Sequence, residues 1–124
     1  MIKRIDNRHK DFYKLFGPIF GSRYIENKTK DRIYDDDFKN WVFFIRNKKI
    51  IAFLSMKNNQ IKNAWHEPEC EKELELLLKD VYHEINGGIV SIIFSKSFEK
   101  TNYITEKVSP NFIKIQGGFK YEEN

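Results

Sequence analysis

The segment Trp65-His66-Glu67-Pro68 carries two side chains that could move a proton. It joins a predicted strand to a predicted helix, a position from which side chains emerge beside a cleft. A general base needs a pKa near the working pH, and the environment can tune either a histidine or a glutamate to that range. His66 and Glu67 are therefore candidate catalytic residues, and the alternative interpretation is an ordinary strand-to-helix turn.

Three consecutive acids, Asp35, Asp36 and Asp37, precede the first strand of a predicted three-stranded unit. Adjacent carboxylates can hold a cation or attract a positively charged substrate. A run of like charges is more often a solvated loop. Both interpretations stay open from the sequence alone.

Other common chemistries have weaker support. The three histidines are far apart in the chain and no cysteine pair accompanies them, so we expect no metal site. The one cysteine, Cys70, begins a predicted helix, but the glutamates around it oppose a thiolate, and we expect a structural role. Neither the P-loop nor the dinucleotide-binding glycine pattern occurs.

The elements that position these residues must fit into 124 residues, and we expect a single domain over residues 1–124. A hydrophobic fraction of 40% and an aromatic fraction of 15% exclude disorder over the full length. One cysteine and the lack of a long apolar run predict a cytoplasmic protein with no membrane partner. The net charge is +4, but basic and acidic residues are interleaved, which argues against a nucleic-acid partner.

The first half of the chain predicts a short strand, a helix and an antiparallel meander. Ile2–Ile5 is the strand, and an apolar stripe from Phe12 predicts a helix to about Phe16, followed at Gly17-Pro18 by a bend or by a second short turn that ends at Gly21. A long polar connection with room for a short helix follows. The meander strands are predicted at Trp41–Arg46, Ile50–Met56 and Gln60–Trp65.

The second half predicts a crossover and two more helices. Glu69–Ile85 is a helix with one leucine-rich face, and Ile89–Ser95 is a strand parallel to the third meander strand. Helices are predicted at Phe98–Lys107 and, capped by Ser109, at Pro110–Gln116, and the last strand at Phe119–Glu122. The predicted fold is α+β: a mixed sheet, in which an antiparallel meander is followed by a β-α-β crossover, flanked by helices.

Several segments, taken in order, carry a family resemblance. They are the hairpin Trp41–Arg46 with Lys49–Leu54, the helix and strand after the meander, the closing Gly118-Phe119-Lys120, and Leu15–Arg23 with Ile33–Asp37. In this order they resemble the GCN5-related N-acetyltransferase (GNAT) superfamily over most of the chain. The last pair of segments looks like a small phage- or Firmicute-type branch of it.

The resemblance implies acetyl transfer from acetyl-CoA to an amine, of a small molecule or a protein, by direct attack. Backbone groups of Asn63, Ala64 and Trp65 would hold the pantetheine arm between separated strands. His66 or Glu67 would take a proton from the amine, and Tyr103 would protonate the departing thiolate. Asp35, Asp36 and Asp37 would attract a cationic substrate.

The sequence departs from the family where the pyrophosphate of acetyl-CoA should bind. The family's glycine-containing loop is replaced by Pro68-Glu69-Cys70-Glu71-Lys72-Glu73, so Lys72 is the one basic group there. This predicts a degenerate cofactor loop and weak acetyl-CoA binding. The alternatives are a catalytically degenerate GNAT-fold protein that binds a macromolecular partner, such as a phage protein acting on a host factor, and a small-ligand sensor. A homodimer formed through an unpaired sheet edge stays open.

Overall fold

The computed structural model describes residues 1–120, which contain seven strands and four α-helices. The strands are β1 Ile2–Ile5, β2 Asn40–Arg46, β3 Lys49–Lys57, β4 Gln60–His66, β5 Gly87–Ser91, β6 Ile104–Lys107 and β7 Phe112–Gln116. The helices are α1 Phe12–Phe20, α2 Arg23–Thr29, α3 Glu71–Val81 and α4 Ser95–Lys100. Short 3₁₀ turns follow α3 at Tyr82–Glu84 and precede α4 at Ile92–Phe94. Within this range no helix has the length and apolarity needed to cross a membrane.

All seven strands form one sheet in the order β1-β2-β3-β4-β5-β7-β6. Strands β2, β3 and β4 pair antiparallel, whereas β5 pairs parallel to β4 after the crossover through α3. The predicted α+β class and the mixed sheet are therefore confirmed, including the placement of the third meander strand.

Helices α1 and α2 lie on one face of the sheet. The Phe16 ring of α1 lies 4.8 Å from Trp41, 5.3 Å from Phe43 and 6.0 Å from Phe53, measured between ring centroids. Trp41 and Phe43 are two positions apart on β2 and therefore point to the same face of the sheet. Phe53 is the cross-strand partner of Phe43, so all three rings share this face. Aromatic packing thus fixes α1 over the meander.

Helix α3 covers the opposite face. Val42, Leu54 and Ala64 alternate with the residues under α1, yet they too are buried. The leucine-rich face of α3 is fully buried against strands β2, β3 and β4. This arrangement places the start of α3 beside the carboxyl end of β4.

Helix α1 continues to Phe20, so the predicted end near Phe16 is wrong. Pro18 lies inside the helix, in its last turn, where its missing N–H removes one intrahelical hydrogen bond. Burial of Phe16 and Ile19 on either side of it offsets that loss.

The predicted strand Ile89–Ser95 is only partly correct, because β5 ends at Ser91 and the chain turns into α4. The predicted helix Phe98–Lys107 is likewise partly wrong: α4 ends at Lys100, and Ile104–Lys107 is a strand. The apolar run contained no period-two alternation that could have placed these ends.

The predicted helix Pro110–Gln116 is wrong, because Phe112–Gln116 is strand β7. The Ser109 hydroxyl accepts a hydrogen bond from the Phe112 amide at 3.1 Å, the same bond that would cap a helix. Here the Val108 amide also donates to the Phe112 carbonyl at 3.1 Å, which closes a hairpin turn. Buried Ile113 and Ile115 alternate with exposed residues, as in a strand.

The predicted last strand begins with Phe119 and Lys120, which do not form a strand; its remaining residues lie outside the described range. The Gly118 amide donates to the Tyr82 carbonyl and the Phe119 amide to the Ile85 carbonyl, both at 2.9 Å. The chain therefore leaves β7 along the end of α3.

Candidate functional site

An opening separates β4 from β5 at the centre of the sheet. The two strands pair only at Gln60 with Gly87 and at Ile61 with Gly88, among the described residues. Strand β4 has a bulge directly after these pairs, because Ile61 opposes Met56 and Asn63 opposes Ser55, which leaves Lys62 as the extra residue. A bulge bends its strand and interrupts pairing. The edge of β4 from Lys62 onward is therefore turned away from β5.

Gly88 closes the vertex of this opening. Its φ angle of 151° lies in the region that favours glycine, and a Cβ at this position would collide with the Ile61 carbonyl oxygen. The two strands can approach this closely because the residue has no side chain.

A polar cavity of about 400 Å³ lies beside the bulge, on the face that carries α1 and α2. Asn63 is buried at its wall, where its amide donates to the Asp31 carboxylate at 2.8 Å and its carbonyl accepts from the Ser55 hydroxyl at 2.7 Å. Burial raises the pKa of the Asp31 carboxyl, although the Asn63 bond opposes this. Asp31 is thus a half-buried carboxylate held by a buried chain of hydrogen bonds.

Lys39 lines the same cavity, and only 4% of the residue is exposed. Its ammonium donates to the Tyr34 carbonyl at 2.8 Å and lies 4.8 Å and 4.9 Å from the ring centroids of Tyr34 and Trp41. Burial lowers the pKa of Lys39 to about 8, while nearby carboxylates, first that of Asp31, oppose the change.

The start of α3 lies at the other end of the opening. Its intrahelical bonds begin with the Leu74 amide, which donates to the Cys70 carbonyl at 3.4 Å. The preceding amides of the first turn therefore have no acceptor within the helix, which is the usual basis of anion binding at such a terminus. Glu69 and Glu71 stand exposed at this end, and Glu69 has a φ of 68°, a conformation that glycine adopts more readily.

Two further glutamates at this end are paired with the β2–β3 hairpin. Glu73 lies 3.6 Å from Arg46, and Glu67 lies 3.3 Å from Lys49. Their side chains are only 17% and 24% exposed. These acids therefore connect the hairpin to the helix start, and the hairpin cations are engaged there.

Comparison with known proteins identifies the fold. No protein-family model matches the chain, and no curated protein is significantly similar in sequence. Solved structures do match the chain. One is Campylobacter jejuni N-acetyltransferase PseH in complex with acetyl coenzyme A, which is 12% identical. The match covers 93% of this chain and 96% of that chain, with a TM-score of 0.50. A GNAT-family acetyltransferase from Bacillus cereus is 11% identical. The match covers 97% of this chain and 99% of that chain, with a TM-score of 0.56. Escherichia coli ElaA is 6% identical, covering 93% and 97% with a TM-score of 0.52.

The chain has the GNAT fold. Its overall architecture agrees with these structures over nearly the full length of both partners. At these identities the likeness concerns the fold alone.

The three residues predicted to hold a pantetheine arm, Asn63, Ala64 and Trp65, lie on the unpaired edge of β4. The Phe94 ring packs beside this edge, with its centroid 6.1 Å from Trp65 and 5.2 Å from His66. Successive strand residues point to opposite faces, so a ring that contacts both lies at the strand edge. An arm laid along β4 must therefore displace Phe94 or pass next to it.

His66 and Glu67 lie at the carboxyl end of β4, next to the start of α3. The His66 Nδ1 atom is 2.9 Å from the Glu67 carbonyl oxygen, and its ring rests on Phe94. The Glu67 carboxylate faces Lys49 and borders a pocket of about 500 Å³ with a mixed polar and apolar lining that includes Tyr24 and Trp65. The predicted cation Lys72 is exposed on the first turn of α3.

Tyr103, the predicted general acid, is enclosed in the core. Its hydroxyl donates to the Leu78 carbonyl at 2.6 Å, and its ring packs on Tyr82 and Phe98. Only 4% of the residue is exposed, and burial raises the pKa of the phenol. The residue lies in the core under α3, and this environment does not suit the predicted role.

The three consecutive acids lie at the far end of the sheet from His66 and Glu67. Asp36 pairs with Lys57 at 2.6 Å, at the end of β3, whereas the Glu67 amide donates to Ile51 at its beginning. Six residues of strand separate these points by about 20 Å. The structure therefore does not bring the acids together with His66 and Glu67, but Asp36 does line the polar cavity.

The remaining acids of the run have local partners. Asp35 accepts from the Asn7 amide at 3.0 Å and from the Tyr13 hydroxyl at 3.3 Å. Asp37 lies 3.5 Å from the same Asn7 amide. These contacts attach the loop to the amino-terminal segment.

In the part of the chain that the structure describes, no group of three or more His, Cys, Asp or Glu could hold a metal ion. Cys70 is buried, and burial together with the Glu73 charge raises the pKa of its thiol. A neutral buried thiol fits a structural residue.

Sequence reasoning missed Asp31 and Lys39, and it named Asn63 for its backbone groups but not for its buried side chain. One signal was available, because Asn63 interrupts an apolar strand and a buried amide needs hydrogen-bonding partners. Nothing in the sequence indicated that Asp31, thirty-two positions earlier, supplies one of them.

Proposed function

We propose that the chain transfers an acetyl group from acetyl-CoA to an amine, as a GNAT-type N-acetyltransferase. The observation that carries this proposal is the opening after the β4 bulge, where the strand edge at Asn63, Ala64 and Trp65 has no β5 partner among the described residues and offers backbone groups to an extended arm that displaces or passes Phe94. The fold supports it, since one structural neighbour is an N-acetyltransferase in complex with acetyl coenzyme A.

The direction of the arm decides where the reaction takes place. A nucleotide near the start of α3 would lie at the carboxyl end of β4, and the arm would run back along the strand toward the vertex. The acetyl end would then reach Lys62 and Asn63 at the bulge. The polar cavity with Asp31 opens at this point, whereas His66 and Glu67 lie closer to the nucleotide.

We therefore assign the proton acceptor to Asp31, with His66 or Glu67 as the alternative. The amine nitrogen attacks the thioester carbon, the carbon–nitrogen bond forms, and the carbon–sulfur bond breaks to release the thiolate. Asp31 takes the proton that the nitrogen loses. A buried carboxylate suits this role because its raised pKa increases its affinity for the proton.

The test measures free thiol released from acetyl-CoA in the presence of a panel of amines. We expect thiol release with at least one amine, and a loss of about a hundredfold in Asp31→Asn, within the range of general-base catalysis. Asp80→Asn is the matched control, because Asp80 is exposed on α3 and does not line the cavity. Equal rates in both variants would exclude Asp31 as the base, and no thiol release with any amine would reject the transferase.

A second candidate is a GNAT-fold protein that has lost the cofactor and binds a protein partner in the cytoplasm, for example a phage protein acting on a host factor. The specific observation in its favour is Phe94, which occupies the space beside the β4 edge. The acidic start of α3 supports it as well, because carboxylates repel phosphate. A homodimer is compatible with either function.

Phe94→Ala separates the two candidates. If Phe94 alone keeps the arm out, the variant binds acetyl-CoA more tightly than the wild type in isothermal titration. Phe98→Ala is the control, because Phe98 is buried on α4 against Tyr103 and lies outside the contacts at the β4 edge. No binding by wild type or Phe94→Ala at millimolar acetyl-CoA would favour the partner-binding function.

A further inference from the structure

The polar cavity beside the β4 bulge gathers more positive than negative charge. Four cations line it, Arg32, Lys39, Lys57 and Lys62, and two carboxylates, Asp31 and Asp36. Both carboxylates are engaged: Asp36 pairs with Lys57 at 2.6 Å, and Asp31 accepts from Asn63 at 2.8 Å. The four cations therefore exceed the two carboxylates by two charges, and the neutral Asn63 amide does not cancel the charge of Asp31 beside Lys39, Lys62 and Arg32.

Lys39 is built into the cavity wall. Its ammonium lies 4.8 Å and 4.9 Å from the ring centroids of Tyr34 and Trp41, and the Tyr34 carbonyl accepts one of its three protons. The side chain is fixed and nearly closed to bulk water, so the other two donors are oriented before any ligand arrives.

Lys62 stands close enough to act on Lys39. Its charge adds to burial in lowering the pKa of Lys39, although the carboxylates of Asp31, Asp36 and Asp35 each oppose this more strongly than Lys62 contributes. Lys62 is exposed at the bulge, with its ammonium 3.1 Å from the Gln60 side-chain oxygen, so it can turn toward the cavity. Two ammonium groups on one cavity repel each other, and an anion between them removes the repulsion and gains charge-assisted hydrogen bonds.

We propose that this cavity binds an oxyanion, the carboxylate or phosphate group of a small ligand, between Lys39 and Lys62. Binding of the oxyanion requires neither acetyl-CoA nor transfer. That the group belongs to the acetyl acceptor rests on the proposed function: the acceptor would then present its amine to Asp31 and an anionic group to the lysines, as an amino acid or a phosphorylated amine does.

The test uses inorganic phosphate and acetate as probes, without acetyl-CoA, against sodium chloride at equal ionic strength. Trp41 lies against Lys39 and is one of two tryptophans in the chain, so its fluorescence should report binding, and thermal unfolding gives a second readout. We expect a saturable change with at least one probe and none with chloride. A larger effect of phosphate would indicate a phosphorylated ligand, and a larger effect of acetate a carboxylate.

Lys62→Met is the decisive variant, because Lys62 is exposed and its loss should leave the fold intact. We expect its affinity for the better probe to fall about tenfold or more, as for one lost charge-assisted hydrogen bond. Lys79→Met, an exposed lysine on α3 at the opposite face, should bind like the wild type. Lys39→Met should abolish binding, and its unfolding transition shows separately whether it folds.

Two results would overturn the site: a response to chloride equal to that of both probes, or unchanged affinity in Lys62→Met and in folded Lys39→Met. Neither result depends on the transferase. Failure of acetyl-CoA to react, with oxyanion binding intact, would reject the proposed function and leave this site in place.

Discussion

Side chains that exchange protons with a substrate must reach it, and at the scale of single residues burial separates the candidates. Tyr103 is enclosed in the core with its hydroxyl bonded to a helix carbonyl, whereas Asp31 is half buried on an open cavity. His66 and Glu67 stand between these extremes, at the strand end where the sequence predicted them. Residue type alone favoured Tyr103 and His66 for proton transfer, whereas position in the fold favours Asp31.

The first prediction concerns Tyr103. Tyr103→Phe should lower the free energy of unfolding by about 1–3 kcal/mol, because a buried hydrogen bond to the Leu78 carbonyl is lost. Acetyl transfer by the folded variant should not change. Urea denaturation measures the first effect, and Tyr24→Phe, whose ring is half exposed, should leave stability unaltered. A stable variant that has lost transfer would restore Tyr103 as the acid.

The lowered pKa of Lys39 implies that the stability of the fold depends on pH. Its folded pKa of about 8 lies below the ordinary value of 10.5, so between these limits the unfolded chain binds more protons. Stability therefore rises with pH in this window, by up to about 1.4 kcal/mol per pH unit, and below pH 8 the cost of the buried charge is constant.

Denaturation of the wild type and of Lys39→Met across pH 7–11 measures this dependence as the difference between the two curves. Lys30→Met is the control for a lysine, since Lys30 is exposed. Parallel curves for wild type and Lys39→Met would contradict the shifted pKa.

At the scale of elements, the contact between β4 and β5 depends on one glycine. Gly88→Ala should destabilise the fold by about 1–3 kcal/mol, because its φ of 151° is strained for alanine and the new Cβ would meet the Ile61 carbonyl. Gly21→Ala is the matched control, since open space surrounds Gly21 and its φ is −96°. Equal denaturation midpoints for the two variants would show that the vertex tolerates a side chain.

Helix α3 offers a paired test of its own packing. Leu77 is fully buried and its neighbour Leu76 is 48% exposed. Leu77→Ala should lower the free energy of unfolding by about 2–5 kcal/mol, as for a leucine removed from a core. Leu76→Ala should change it by less than about 0.5 kcal/mol, as for most surface positions. A chemical denaturation midpoint that barely moves in Leu77→Ala would contradict the role of α3.

The elements that sequence reasoning placed correctly are those with a local signal. The meander has two short polar turns between its three apolar strands, and α3 has a clear leucine face, so both follow from periodicity. Strand β7 was missed because Ser109-Pro110 is equally compatible with a helix start and with a hairpin turn. Pairing of β7 with β5 and β6 selects the hairpin turn over the helix start. Such pairing is a tertiary effect that the local sequence does not show.

For the whole molecule, the candidate site follows from pairings that the sequence does not display. The bulge at Lys62 sets the opening, and Asp31 and Lys39 reach it from a loop that precedes the meander. The acids and bases that are interleaved in sequence segregate in space, because four cations and two carboxylates line the cavity and the exposed carboxylates of Glu69 and Glu71 stand at the start of α3. The two ends of the opening therefore have opposite preferences for an anion.

The acidic start of α3 leads to the last prediction, which concerns the affinity for acetyl-CoA. We expect the wild type to bind it in the high micromolar range or more weakly, because two like charges about 4–6 Å apart cost on the order of 1 kcal/mol at a wet surface. Glu69 and Glu71 are exposed, and their replacement leaves the hairpin pairs of Glu67 and Glu73 intact. The double variant Glu69→Gln/Glu71→Gln should therefore bind about tenfold more tightly at low ionic strength. The gain should shrink in high salt, which screens exposed charges. Isothermal titration measures both effects, and the double variant Glu26→Gln/Glu106→Gln, at two exposed positions away from α3, controls for net charge. Low-micromolar binding by the wild type, unaffected by the double substitution, would show that the acidic helix start does not oppose the cofactor.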